Sequence, residues 1–262
     1  MRVAAARPVL PGAHRRAALT TPPAHRALTD AAALAGVTLG DGSGPGWVPY
    51  PDLLRPGPLA ALVERTADLF GGSPTRAARA AAATLALGDV AASVAGPVAA
   101  ALVVRRRALT IRPGGLALRF GVGGVTAIAV ADARVETGAD VGRLRRTVAE
   151  GHAALLAPLV DALAPVAGRG RRGLRAEALE RLAAALFLAA RTAGRPHDAP
   201  AEVEGVVGPV PWVGVGGVPW KRRIVCCLAY QTPGLAGAYC ATCPLVTPAE
   251  TARRTGAWLA DR

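Results

Sequence analysis

The chain has 262 residues, of which 52% are apolar by type and only 4% aromatic, with 31 basic against 18 acidic residues for a net charge of +13. This length supports a sizeable core without covalent staples, and the apolar share excludes a chain disordered throughout. Scarce aromatic residues beside abundant alanine argue against an all-β sandwich and for helices. The positive balance comes almost wholly from arginine, Lys221 being the one lysine, and it accompanies 31 glycines and 22 prolines. It therefore reads as compositional bias, and no zinc-finger, basic-zipper or interleaved aromatic–basic pattern goes with it. No nucleic-acid partner is expected.

Residues 1–51, rich in Pro, Gly, Ala and Arg, read as an irregular N-terminal arm, with a short helix over 30–36 capped by Asp30 and Trp47 packing on the main body. The start carries Arg2 and Arg7 without a sustained apolar stretch, unlike a secretory signal. The expected address is the cytoplasm, where cysteines serve metal or redox chemistry more often than structural disulfides.

Residues 52–204 read as a helical domain. Leu59, Leu62, Val63, Thr66 and Leu69 predict a helix over 58–70, ended by Gly71–Gly72. Ser73–Pro74 starts the next helix, with breaks expected at Gly88–Asp89 and Gly96–Pro97. The longest uncharged run here, 90–104, falls short of the about 20 residues a membrane span needs. No transmembrane segment is expected, and peripheral membrane contact stays open. At about 107–130, short apolar runs separated by Pro113–Gly114–Gly115 and Gly123–Gly124 predict a small antiparallel β-meander of two or three strands. Helices return over 140–164, with Pro158 as a kink point, and over 174–193, the clearest amphipathic pattern, after a basic loop at 169–173. Asp198 and Pro200 start a further short helix. The expected fold class is mainly α with a small antiparallel β-meander (α+β). Residues 205–219, dense in Gly, Pro, Val and Trp, read as a linker to a C-terminal module over 220–262.

All four cysteines fall within that module: Cys226 and Cys227 adjacent, then twelve residues, then Cys240 and Cys243. Such crowding suits a four-thiolate site, with the Gly234–Gly237 segment letting the chain return. Three readings compete on spacing alone. A structural zinc commonly takes four cysteines but usually as two spaced pairs, since adjacent cysteines point apart. A dithiol redox pair at Cys240 and Cys243 lacks a clear strand–turn–helix setting. An iron–sulfur cluster with two irons offers adjacent cysteines two corners.

The segments Arg222-Arg223-Ile224-Val225-Cys226-Cys227-Leu228-Ala229-Tyr230 and Tyr239-Cys240-Ala241-Thr242-Cys243-Pro244-Leu245 resemble the C-terminal 2Fe–2S-binding tail of the FhuF-like ferric siderophore reductases. The spacer between the cysteine pairs is longer than is common there. The resemblance implies a C-terminal iron–sulfur module with Cys226, Cys227, Cys240 and Cys243 as ligands of one 2Fe–2S cluster. It implies an oxidoreductase that passes one electron to a ferric siderophore and so releases Fe(II) in the cytoplasm. No Gly-x-Gly-x-x-Gly opens a helix after a strand, so an external donor such as a ferredoxin or flavoprotein is implied. The alternative is a non-enzymatic siderophore-binding or protein-docking module with a structural zinc held by the four cysteines.

Other residues take supporting parts. Lys221, Arg222 and Arg223 precede the cysteines and read either as a solvated basic run or as charges that draw in an anionic siderophore. Arg253 and Arg254 join them on a last helix with the capping box Thr247, Pro248 and Glu250, whose Trp258 packs inward. Trp212, Trp220, Tyr230 and Tyr239 bracket the cysteines as shielding. His152 reads as a helix-face histidine without ligand duty, and His14, His25 and His197 show no ligand spacing. Ser43, Ser73 and Ser93 lack a nucleophile-elbow setting.

Overall fold

Helices make up most of the described residues in the computed structural model, which describes Ala32, residues 38–235 and residues 237–261. The helix expected over 30–36 lies, apart from Ala32, outside the described residues. In chain order the elements are β1 (Trp47–Pro49), α1 (Tyr50–Leu53), α2 (Pro56–Leu69), α3 (Arg76–Arg105), β2 (Arg107–Ile111), β3 (Leu116–Gly121), β4 (Gly124–Val130), β5 (Ala133–Thr137), α4 (Val141–Ala167), α5 (Gly170–Thr192), α6 (Ala199–Val207), β6 (Trp212–Val215), β7 (Val218–Lys221) and α7 (Pro248–Ala260). The molecule is mainly helical with small antiparallel sheets.

Helix α3 is the axis of the core. Thr75 caps it by accepting the Ala78 N–H at 3.0 Å, and α2, α4 and α5 pack around it. It does not break at Gly88 or at Pro97. Gly88 is a packing notch: a Cβ there would lie 2.6 Å from Nη2 of Arg181 on α5. Pro97 removes one backbone hydrogen bond, but its ring is buried with Val94, Ala95 and Val98, and that packing holds the helix through it. By length and composition α3 alone among the described helices qualifies to cross a membrane, yet 72% of its most apolar window is buried inside the protein. Its hydropathy serves the core, and no clear transmembrane span emerges.

The strands are antiparallel, but they form no simple meander. β2 pairs with β5, while β3 pairs with β4 and accepts β1 on its other edge. Together β2–β3 and β4–β5 are the two arms of one long hairpin. It is offset where the arm carrying Pro113–Gly115 makes a single 3₁₀ turn opposite Ala131 and Asp132. Gly115 is needed at the crossing, because a Cβ there would sit 2.4 Å from the Asp132 backbone nitrogen. The turn signals at 113–115 thus mark an offset within an arm rather than a chain reversal.

Helix α5 begins earlier than its apolar pattern suggests. Arg169 is its N-cap and residues 170–173, expected as loop, are helical. Its buried residues include Leu174, Leu182 and Leu186 but also Glu177 and Glu180, so it is not simply amphipathic. Residues 205–219, expected as a linker, hold the end of α6 and most of the β6–β7 hairpin. That hairpin turns on Gly216 and Gly217, both at positive φ, as its tight turn requires. It packs onto the body: the Phe187 ring lies 6.1 Å from Trp212 and 5.2 Å from Trp220, centre to centre.

Candidate functional site

The site begins with two acids on α5. Glu177 and Glu180 are three residues apart, so they share a helix face, and both are buried. Glu180 accepts Lys221 Nζ at 2.7 Å through Oε1 and the Ile224 backbone N–H at 2.7 Å through Oε2. Glu177 accepts Arg223 Nη2 at 2.9 and 2.8 Å and Arg181 Nε at 2.8 Å. These contacts fix residues 221–224, the strap that leads into the cysteines.

The basic run is therefore placed differently from either reading of it. Lys221 is only 4% exposed, and its ammonium is held by Glu180 and the Arg222 carbonyl. Burial lowers its pKa and Glu180 partly restores it. Burial also opposes the charge of Arg223, but Glu177 and the Cys227 thiolate outweigh this and raise its pKa. Arg222 donates to the Val246 carbonyl. All three face inward because buried carboxylates and carbonyls wait for them. Charges so placed are poor long-range attractors of an anion.

The cysteines sit on the far side of this strap. Arg223 N–H donates to the Thr242 carbonyl at 3.0 Å, joining the run before Cys226 to the Cys240–Cys243 turn, which closes through Cys243 N–H on the Cys240 carbonyl at 3.1 Å. Leu228, at φ 63°, makes the sharp bend after the adjacent pair, and its N–H points to Cys226 Sγ at 3.4 Å. Arg169, the N-cap of α5, donates to the Cys226 carbonyl at 2.5 Å. It can lie back along the helix because residue 173 is glycine: a Cβ there would come within 3.0 Å of Arg169 Cβ. Between the cysteine pairs, Gly234 N–H donates to the Phe70 carbonyl at 2.7 Å, so the spacer docks on the end of α2. Gly71 and Gly234 both leave room for that approach.

The thiols meet across the loop. Cys226 and Cys243 Sγ atoms are 4.0 Å apart, and Cys240 donates its thiol proton to Cys227. That bond, against the effect of burial and with help from Arg223, lowers the Cys227 pKa to about 6. The same bond, with burial, raises that of Cys240. Burial raises Cys226 as well, and its neighbour Cys243 adds to the effect. Cys227 and Cys243 are buried, Cys226 is half-buried and Cys240 is exposed. Among the described residues no three His, Cys, Asp or Glu side chains converge as a ready metal site; the thiols come together in twos.

Two thiolates at about 2.3 Å from one tetrahedral metal stand about 3.8 Å apart, close to the 4.0 Å of Cys226 and Cys243. The donor set is soft and all-sulfur, as iron–sulfur and zinc centres require. The residues thus offer soft donors suited to such a metal, with one pair, Cys226 and Cys243, at a separation that a shared corner needs.

The surroundings divide. The Tyr230 and Tyr239 rings pair at 5.1 Å, at the two ends of the spacer. Trp212 and Trp220 instead face Phe187, and Trp212 Nε1 donates to Glu204 at 2.8 Å. Thr247 caps α7 through the Glu250 N–H, as its sequence predicts. Glu250 engages Arg253 and Arg254, which are thus committed locally, and Arg254 also reaches the Tyr239 carbonyl at 3.0 Å. Trp258 is 45% exposed, edge-on to Trp220 at 6.4 Å. His152 is buried, with Nε2 3.1 Å from the Ala178 carbonyl, and burial lowers its pKa to about 4. Sequence reasoning passed over Arg169, Gly173, Glu177 and Glu180. The signal for the two acids was weak: they lie beside the apolar stripe of Leu174, Ala178 and Leu182, where a carboxylate ordinarily reads as exposed. Neither a protein-family model nor a curated protein sequence matches this chain.

Proposed function

We propose that this protein is an iron–sulfur oxidoreductase that passes one electron to a ferric siderophore in the cytoplasm. In this reading Cys226, Cys227, Cys240 and Cys243 hold one 2Fe–2S cluster. The observation that carries the reading is the approach of Cys226 and Cys243 across the loop, at a separation suited to a shared tetrahedral metal, with Cys227 and Cys240 as the other interacting pair. The resemblance of the same cysteine segments to the FhuF-like tail supports it. When bound, the cluster would supply the electron, and the weaker hold of oxygen donors on Fe(II) would release the metal.

The chain's own residues have defined tasks in this scheme. Glu177 and Glu180 hold the strap, Arg169 and Arg223 fix the two halves of the loop, and Arg223 places a positive charge beside the thiolates. Cys240 is the exposed member, so its side of the loop faces the partners, a ferric siderophore and an external ferredoxin or flavoprotein. The second reading is a structural zinc in a binding or docking module, which the same four thiols would suit.

Anaerobic purification followed by metal analysis and visible spectroscopy separates the two. The expected protein is red-brown, holds two irons per chain and bleaches with dithionite. Replacing any one cysteine by serine is expected to lose most of the iron while far-UV helix signal persists. A colourless protein with one zinc per chain overturns the cluster.

A further inference from the structure

The pairing of the thiols follows neither of the short sequence spacings. The thiol hydrogen bonds run Cys226 to Cys243 and Cys227 to Cys240. Each crossed pair has one more accessible member, Cys226 half-buried and Cys240 exposed, and one buried member, Cys243 and Cys227. We propose that in the metal-free chain these pairs act as two dithiol units. A disulfide oxidant of the glutathione class converts them to Cys226–Cys243 and Cys227–Cys240 cross-links.

The chemistry balances pair by pair. The exposed thiol, Cys240, attacks one sulfur of glutathione disulfide, forming a mixed disulfide while its proton leaves with one glutathione. Cys227 then attacks the Cys240 sulfur and expels the second glutathione. Two thiols have lost two electrons and two protons, and one glutathione disulfide has become two glutathiones. Cys226 and Cys243 follow the same course. The Cys226 and Cys243 sulfurs need only close from 4.0 Å to bonding distance, about 2.05 Å. Both halves of the loop are already tied by the Arg223–Thr242 hydrogen bond. The cross-links would join the same residues that share a corner of the proposed cluster, so the oxidised chain keeps the loop in place while barring metal.

The proposal does not rest on the cluster reading, since it concerns the chain without metal. Its test uses the full chain, stripped of metal under reductant, then exposed to glutathione disulfide. Free thiols are expected to fall from four to none, with no retained glutathione and a mass loss of about 4 Da for two disulfides. Residues 224–253 contain no Lys or Arg before Arg253, so trypsin delivers all four cysteines in one peptide, whose fragmentation gives the connectivity without any substitution. Single variants give an independent reading. After oxidation, the thiol left open to a first alkylating label is expected to be Cys243 in Cys226→Ser and Cys240 in Cys227→Ser. Chymotryptic cleavage at Tyr230 and Tyr239 separates the two halves once the remaining disulfide is reduced and given a second label. A Cys240–Cys243 link in the wild type, a labelled Cys227 in Cys226→Ser, scrambled pairing, or persistent glutathione adducts would each overturn the proposal. A protein that is already iron-free and colourless as purified anaerobically, yet forms the crossed links on oxidation, would overturn the cluster alone.

Discussion

The helical body and the cysteine tail are held by different forces. In the body, α3 is buried along most of its length by apolar neighbours, and small alanine side chains let helices approach closely. In the tail, the loop from Arg222 to Thr247 buries few apolar groups and is placed by directed bonds: Glu180 to Lys221 and Ile224, Glu177 to Arg223, Arg169 to Cys226, Phe70 to Gly234. Apolar packing tolerates exchange of one side chain for another of like size. A buried ion pair does not tolerate loss of one partner. The body should therefore absorb substitutions that the tail cannot.

The sharpest way to break that contrast is to cut the tail's anchor. Glu180→Ala leaves the Lys221 ammonium buried without its carboxylate, and a loss of about 3–5 kcal/mol is expected, read from the urea unfolding midpoint. Replacing both partners, Glu180→Leu with Lys221→Met, should recover most of the loss, because the buried pair carries its own desolvation penalty. If the single variant is as stable as the wild type, the tail does not depend on this link.

A second measurement tests the body by pH. His152 is buried and neutral, with a pKa of about 4 against an ordinary 6.5. The unfolded chain takes up this proton as pH falls through about 6.5, while the native chain resists until about 4. Stability from this group is thus complete above pH 6.5 and declines across that window, by about 3 kcal/mol in all. Unfolding midpoints at pH 7.5 and pH 4.5 should differ less in His152→Gln than in the wild type. Equal slopes would remove His152 as the source.

The smallest effect is the most local. Gly173→Ala gains about 1 kcal/mol of helix propensity, but its Cβ displaces Arg169 from the Cys226 carbonyl, forfeiting about 1 kcal/mol. Global stability should stay nearly level while hydrogen exchange at Cys226–Leu228 quickens. Unchanged exchange would show that Arg169 does not restrain the loop.

Local signals in the sequence were legible where they sufficed to set the structure. The α7 cap at Thr247 follows from Thr247, Pro248 and Glu250, and the helix over 58–70 from its apolar spacing. Gly88 and Pro97 misled because their meaning depends on what lies opposite: an arginine from α5 in one case, a buried apolar layer in the other. Pro113–Gly115 was correctly a turn, but whether a turn reverses the chain or offsets an arm is decided by a partner strand far along the sequence. For the site, the cysteines announce themselves by crowding. Their crossed pairing is set by how the loop folds back, and the inward burial of Lys221 and Arg223 needs Glu180 and Glu177, more than forty residues away.

The contact between Gly234 and the Phe70 carbonyl gives the spacer a further meaning. The twelve residues between Cys227 and Cys240 do more than let the chain turn back; they reach out to the end of α2 and return. Their number acts as a ruler. A shorter spacer would still close the thiol pairs but would lose its bond to the end of α2, leaving the tail held by the α5 strap and by the contact of residues 229–231 with α3. The length of this segment thus sets how firmly the two parts of the molecule are laced together.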